Sequence, residues 1–207
     1  GVRVLLDRLT AGHVGQTSFP VLPLDEVGRQ AELAVVIGGD GTMLNIARTF
    51  APFDTALVGV NLGRLGFLTD IPLDAMCETI GQILDGSYTV EERMLLSAEV
   101  YTENVCRFQV LAFNDVVVSK GAKGGMIEFS VHIDGQFVYT LRSDGIIVAS
   151  PTGSTAYALS SGGPILHPSV QVMALVPVCP HTLSNRPIAV SSDATVEITM
   201  RSAPDAF

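Results

Sequence analysis

The residues best suited to chemistry lie in Ala34-Val35-Val36-Ile37-Gly38-Gly39-Asp40-Gly41-Thr42. An apolar, mostly β-branched run ends in three glycines that surround one carboxylate, and an amphipathic segment, Met43 to Phe50, follows at once. The pattern predicts a buried strand, a tight turn and a helix N-terminus with Asp40 at the apex. Backbone N–H groups at such a helix start, together with one acid, suit a phosphate-bearing ligand. The turn is not a Walker A loop, since it has neither the Lys nor the G-x-x-x-x-G-K-[ST] spacing, and it is not G-x-G-x-x-G either. Asp40 as an ordinary helix N-cap is the structural alternative. Three glycines around one acid favour a ligand, because they remove side chains where a ligand would approach the backbone.

Three further stretches could contribute. Phe113-Asn114-Asp115 places an Asn-Asp pair inside an apolar strand, which is costly unless the polar groups are hydrogen-bonded. An Asx turn and a ligand contact explain the pair equally well. Arg142-Ser143-Asp144-Gly145, taken alone, reads as a surface Arg–Asp pair at a strand start, worth little. The run from Ser150 to Pro164 packs hydroxyls, glycines and Tyr157 into an expected loop–helix–loop. Small residues there let a planar base approach, and hydroxyls and Tyr can bond a ribose or stack on a base. A capped helix with a Gly-Gly-Pro stop explains isolated pieces of that run. A nucleophilic Ser is not supported, since G-x-S-x-G is absent and no paired His–Asp is evident. His13, His132, His167 and His181 show no metal-ligand spacing.

The elements that position these residues change character part-way along the chain. Gly1 to Leu9 reads as a strand, Ala11 to Leu24 as a loop rich in Gly, Ser, Thr and Pro, and Asp25 to Glu32 as a short helix. Ala34–Ile37, the helix and Ala56–Val60 form a βαβ unit, so parallel strands are expected, with Gly38–Thr42 and Asn61–Phe67 at one sheet edge. Leu73, Met76, Cys77, Ile80, Ile83 and Leu84 recur at helical spacing and predict a core face that ends at Asp85-Gly86. From Glu91 apolar residues alternate, most clearly Ile127, Phe129, Val131 and Ile133, and Asp134-Gly135 signals a type I′ hairpin. The fold class expected is thus α/β plus β. A Rossmann-like parallel-sheet domain over residues 1–90 precedes a β-rich, sandwich-like domain over residues 91–207.

Composition bounds the partners. Of 207 residues, 47% are hydrophobic, and 12 Lys and Arg face 21 Asp and Glu for a net charge of −9. No basic stripe is present for nucleic acid or an anionic membrane surface. A polyphosphate small molecule remains compatible, held by backbone N–H groups and a divalent cation. Cys77, Cys106 and Cys179 form no C-x-x-C pair and read as reduced thiols. No apolar run approaches a membrane span. A soluble, cytoplasmic protein is expected.

With these stretches in order, the chain resembles the bacterial NAD kinases. Gly38-Gly39-Asp40-Gly41-Thr42 is similar to that family's GGDGT, and Asn61 to Asp70 to its second glycine-rich turn. Asn114-Asp115 is similar to its Asn-acid pair, more often Asn-Glu. Arg142 to Asp144, Ser150 to Tyr157 and Gly162-Gly163-Pro164 are similar to its long nucleotide-binding block, and Pro180 to Pro187 extends the likeness. GGDGT alone also occurs in phosphofructokinases and diacylglycerol-type lipid kinases; the full order of blocks, over about Leu33 to Val190, is specific. Against the family's pattern the usual first strand and helix and a C-terminal segment are missing, so an incompletely represented chain is expected.

The resemblance implies transfer of the γ-phosphoryl group of ATP, or of polyphosphate in some members, to the 2′-hydroxyl of the adenosine ribose of NAD, with Mg²⁺ as cofactor. It implies that Asp40 accepts or orients the hydroxyl proton, with the Gly41 N–H near the phosphates; a role for Asp40 in holding Mg²⁺ is the alternative. Asn114 and Asp115 would hold ribose hydroxyls. Thr155, Ala156, Tyr157, Ala158, Leu159 and Ser160 would supply the adenosine pocket, with Asp144 and Arg142 nearby. The glycine turn would then be half of a site completed by the β-rich domain. A homodimer or homotetramer is implied as well. A diacylglycerol-type lipid kinase and a non-catalytic NAD-binding module are the competing functions.

Overall fold

The computed structural model describes residues 1–63, 66–121, 125–182 and 185–202. Arg64, Leu65, Leu183 and Ser184, which belong to the motif stretches above, lie outside the described residues. The chain divides into two compact units, Gly1–Val90 and Glu91–Phe207.

The first unit opens with β1 (Leu6–Asp7), α1 (Arg8–Val14), β2 (Val21–Leu22) and α2 (Leu24–Gln30). This corrects the expected strand over Gly1–Leu9 and the expected loop from Ala11. Asp7 stops the strand and caps α1, accepting from Leu9 N at 2.8 Å and Thr10 N at 3.2 Å. Side-chain capping thus wins over the loop-like composition that follows. β1 pairs in parallel with β2.

Next come β3 (Leu33–Ile37), α3 (Asp40–Phe50), β4 (Ala56–Asn61), β5 (Ile71–Pro72) and α4 (Met76–Leu84). β3, β4 and β5 form a parallel sheet in that order, with Val35 opposite Val58 and Ile37 opposite Val60. The βαβ reading is borne out. Only one side of β3 is well covered, however: Val36 is buried while Val35 and Ile37 are exposed. Likewise α4 has no fully buried residue, so its apolar stripe is half-covered instead of a core face. Hydrophobic spacing reports the period of an element and not the depth at which it is buried.

The second unit is antiparallel β. It contains a hairpin of β6 (Leu96–Thr102) and β7 (Val105–Ala112), then β8 (Asp115–Ser119), β9 (Ile127–Ile133), β10 (Gln136–Ser143) and β11 (Gly145–Ala149). A short α5 (Tyr157–Ser160) and strands β12 (Val172–Val178), β13 (Ile188–Ser191) and β14 (Val196–Ser202) complete it. The order β10-β9-β14 makes one sheet and β13-β12-β11-β8 another. Ile127, Phe129, Val131 and Leu141 of the first sheet share one core with Ile146, Val148, Met173 and Leu175 of the second. This is a sandwich, as the alternation predicts. β11 is buried along its whole length because its other face, Ile147 and Ala149, packs with Ala158 of α5. Asp134 and Gly135 both take positive φ, 49° and 76°, as the hairpin between β9 and β10 requires.

Candidate active site

In the first unit, Gly38 continues the strand by donating to Val60 O at 2.9 Å. Gly39 is the N-cap of α3, and Asp40 is the first helical residue. The carboxylate of Asp40 does not cap its own helix. It turns to the second glycine-rich segment, where Oδ2 accepts from Phe67 N at 2.9 Å. Oδ1 accepts from Leu68 N at 3.1 Å, Thr69 N at 3.2 Å and Thr69 Oγ1 at 3.1 Å. Burial pushes this carboxyl up, but the three backbone N–H groups and the Thr69 hydroxyl outweigh it, and the group sits below the usual carboxylate range. The acid is therefore held ionised.

The glycines around it divide into two kinds. A Cβ on Gly38 would lie 2.7 Å from Thr42 Oγ1, and one on Gly66 would lie 2.1 Å from Asp40 Oδ1. Packing alone demands glycine at both. Among the described residues a Cβ on Gly39 or Gly41 would meet nothing within 4 Å, and Gly39 is extended with φ −98° and ψ −177°. Neither the backbone nor the packing requires glycine there. Thr42 N and Met43 N donate to Gly39 O at 3.0 and 3.1 Å, which leaves the N–H groups of Asp40 and Gly41 as the donors at this helix start without an intrahelical acceptor. Phe67, whose N–H holds Asp40, leaves its ring 77% exposed. A cleft of about 460 Å³ lies nearby, lined by Asn61, Leu62, Gly63, Pro72, Leu73 and Asp74.

In the second unit, Phe113 and Asn114 form a bend between β7 and β8, and Asp115 opens β8. The pair thus sits at a strand entry and not within a strand. Asn114 Oδ1 is buried without a hydrogen-bond partner among the described residues. Burial pushes the Asp115 carboxyl above its usual range. The hydroxyl-rich loop locks onto this bend. Ser150 donates from N to Asn114 O at 2.8 Å and from Oγ to Phe113 O at 2.6 Å, and Gly153 N donates to Ser150 Oγ at 3.1 Å. A Cβ on Gly153 would lie 2.0 Å from Asn114 O. Ser154 Oγ donates to Pro151 O at 2.6 Å and accepts from Leu166 N at 2.9 Å.

So Ser150 and Ser154, both fully buried, hold the loop together. The partly exposed groups are others. Thr155 Oγ1 donates to Thr152 O at 3.3 Å, and Thr152 Oγ1 accepts from Arg93 Nη1 at 3.3 Å. Ala156 is partly exposed, Tyr157 and Leu159 are exposed, and Ser160, also exposed, donates to Tyr157 O at 2.9 Å. Ala158 is fully buried against Ile147, Ala149, Ala174 and Val176, so its methyl offers a ligand no surface. Asp144 pairs not with Arg142, which is exposed at the end of β10, but with Lys120, whose Nζ lies 2.8 Å from Oδ1. Lys120 escapes sequence reading because 24 residues separate the two.

Among the described residues no three His, Cys, Asp or Glu side chains come together to hold a metal ion. Asp40 spends most of its acceptor capacity on the protein. The donor set does not make a resident metal cage. Among the same residues no helix is long and apolar enough to cross a membrane.

Residues 16–88 match the profile of the ATP-NAD kinase N-terminal domain, and residues 113–206 that of the ATP-NAD kinase C-terminal domain. An NAD kinase of Nitrosomonas eutropha is 61% identical over 198 residues, covering 96% of this chain and 67% of the relative. One from Chromobacterium violaceum is 53% identical over 206 residues, covering 100% of this chain and 71% of the relative. The chain belongs to the NAD kinase family. Solved members share the fold. The yeast NADH kinase complexed with NADH matches with a TM-score of 0.89 and 25% identity, over 97% of this chain and 63% of that one. An NAD kinase from Archaeoglobus fulgidus in complex with ATP matches with a TM-score of 0.74 and 25% identity, over 95% and 79%. Family membership supports an enzyme that phosphorylates NAD to NADP and does not favour the lipid kinase or the non-catalytic module.

Proposed function

We propose that the chain transfers the γ-phosphoryl group of ATP to the 2′-hydroxyl of the NAD adenosine ribose, with Asp40 as the group that orients the attacking hydroxyl. The observation that carries this reading is the start of α3. Gly39 and Gly41 stand where no internal contact asks for glycine, at a helix start and beside a fixed anion. At Gly41, within the helix, glycine costs about 0.5–1 kcal/mol relative to Ala; at the N-cap Gly39 it is an ordinary choice. A phosphate brought close to the Gly41 N–H supplies the reason.

Phosphoryl transfer has a loose transition state and needs positioning and charge neutralisation more than a strong base. A carboxylate held below its usual range suits that task, since it accepts a hydroxyl hydrogen without becoming protonated beforehand. In this reading the buried, unpartnered Asn114 Oδ1 accepts from a ribose hydroxyl, with Asp115 beside it. Thr155, Ala156, Tyr157, Leu159 and Ser160 offer surface to the adenosine, while Ala158 supports them from beneath. Asp144, tied to Lys120, presents a neutralised pair to polar groups of the nucleotide, with Arg142 available at the strand end. Mg²⁺ enters as Mg-ATP, because this ion dehydrates reluctantly and is usually carried by phosphates with few protein ligands. Assembly as a homodimer or homotetramer belongs to the same reading and is checked by light scattering.

The test is NADP formation from NAD with Mg-ATP, repeated on Asp40→Ala. Turnover should fall by about 10²–10⁴ with NAD binding largely kept. Near-normal kcat in the variant overturns the role given to Asp40.

A further inference from the structure

We infer that Asn61 and Thr69 are positioning residues that load one oxygen of the Asp40 carboxylate and leave the other, Oδ2, to address the acceptor hydroxyl. The inference rests on the reaction proposed above. It starts from four hydrogen bonds within the first unit. Asn61 Oδ1 accepts from Gly63 N at 2.6 Å, and Asn61 Nδ2 donates to Thr69 Oγ1 at 2.8 Å and to Thr69 O at 3.2 Å. Thr69 Oγ1 then donates to Asp40 Oδ1 at 3.1 Å.

The direction of each bond follows from its chemistry. A backbone N–H can only donate, so the amide oxygen of Asn61 must face Gly63 and its NH₂ must face Thr69. That NH₂ can only donate, so Thr69 Oγ1 accepts there. The single hydrogen of the hydroxyl is left free to point at the carboxylate. Thr69 is 0% exposed, so its hydroxyl is shielded from water, whereas Asn61, 6% exposed, borders the cleft. Glycines make the close approach possible. A Cβ on Gly59 would lie 2.8 Å from Leu68 O and 2.9 Å from Thr69 Cγ2, and one on Gly66 would overlap Asp40 Oδ1.

The distribution on the carboxylate is uneven. Among the described residues Oδ1 receives three donors, Leu68 N, Thr69 N and Thr69 Oγ1, whereas Oδ2 receives one, Phe67 N. A carboxylate oxygen can accept about two strong bonds in its plane. Oδ1 is therefore saturated, and Oδ2 keeps one acceptor direction open. Leu68 N and Thr69 N already supply two donors to Oδ1; the hydroxyl adds a third and tethers the carboxylate to the Asn61 side chain, which resists its rotation.

The experiment compares kcat and KM of the wild-type chain with Thr69→Val, Thr69→Ser and Asn61→Ala, with folding followed by circular dichroism and thermal unfolding. Thr69→Val keeps the shape and removes the hydroxyl; kcat should fall about tenfold, the worth of one hydrogen bond to a charged group, with KM for NAD and for Mg-ATP within about twofold. Thr69→Ser should return kcat to within about threefold of wild type. A purely structural role would lower thermal stability without that kcat-specific loss and rescue. Wild-type kcat in a folded Thr69→Val, an equal loss in Thr69→Ser, or a rise in KM alone overturns the inference while leaving the proposed reaction intact. If Thr69→Val does not fold, Asn61→Ala is read the same way, and wild-type kcat there overturns the inference. Failure of the wild-type chain to form NADP overturns the proposed reaction itself.

Discussion

The glycine turn of the first unit and the hydroxyl-rich loop of the second both rely on small residues, with different physics. At the start of α3, Gly39 and Gly41 face open space. In the loop after β11, Gly153 is pressed against the Asn114 backbone, and a Cβ on Gly163 would lie 2.8 Å from Ala158 O and Val176 Cγ2. The same contrast holds for polar side chains. Asp40 extends its hydrogen bonds to a different segment and keeps one oxygen partly free, whereas Ser150 and Ser154 are consumed within their own loop and the bend beneath it. A small residue packed against backbone serves the fold. A small residue that faces open space beside a fixed carboxylate and a helix start leaves room for a ligand.

Two alanine substitutions separate these explanations most sharply. Gly153→Ala drives a methyl into Asn114 O, and overpacking of this kind costs about 1–3 kcal/mol or more. Stability should drop measurably in urea unfolding, and NAD binding should drop with it because Asn114 and Asp115 are displaced. Gly41→Ala should do the reverse. It meets no atom within 4 Å, so the helix gains about 0.5–1 kcal/mol. NADP formation should nevertheless fall, since the methyl occupies the space proposed for a phosphate. A Gly41→Ala chain of unchanged activity removes the case for a phosphate at that position.

A smaller difference is expected between two serines of one loop. Ser154→Ala leaves the part-buried Leu166 N–H without its acceptor and empties a buried site, a loss of about 1–3 kcal/mol. Ser160 is exposed, and its hydroxyl donates to Tyr157 O within the same helical turn. Ser160→Ala should leave the unfolding midpoint within error and act, where it acts, on KM for NAD. If both variants lose equal stability, the division between loop-holding and ligand-facing hydroxyls fails.

These contrasts also explain how far sequence carries. The βαβ unit, the alternation over Ile127–Ile133 and the Asp134-Gly135 hairpin were readable because each depends on spacing within a few residues. Asp7 as a helix cap was also local, and a capping residue ahead of α1 could have overturned the expected loop. The position of the glycine turn was readable too, but the work of Asp40 was not. Its partners lie 27 to 29 residues away, on a segment whose N–H groups carry no residue-type signature. Asn61 and Thr69 were missed for the same reason: a buried Asn–Thr contact eight residues apart leaves no pattern in composition. The hydroxyls after β11 suggested ligand contacts in bulk, and burial alone separates Ser150 and Ser154 from Thr155 and Ser160.

The weakest expected effect has opposite signs in the two units. Asp40 sits below the ordinary 3.8 because four donors favour its charged form. The stability it contributes is present above pH 3.8 and is lost as the pH falls through its lower folded value. Asp115 is pushed above the ordinary 3.8 by burial. Its contribution is fully present below pH 3.8 and is lost as the pH rises through the folded value, so at neutral pH its charge is a burden on the native state. Urea unfolding of Asp40→Asn and Asp115→Asn from pH 7 downward measures both. Asp115→Asn should be at least as stable as wild type at pH 7, with the advantage fading toward acid. Asp40→Asn should be less stable at pH 7, with the gap closing only below about pH 3.8, where the carboxylate is protonated. Parallel curves for the two variants would mean that the two carboxylates, one held by donors and one merely buried, sit in equivalent environments.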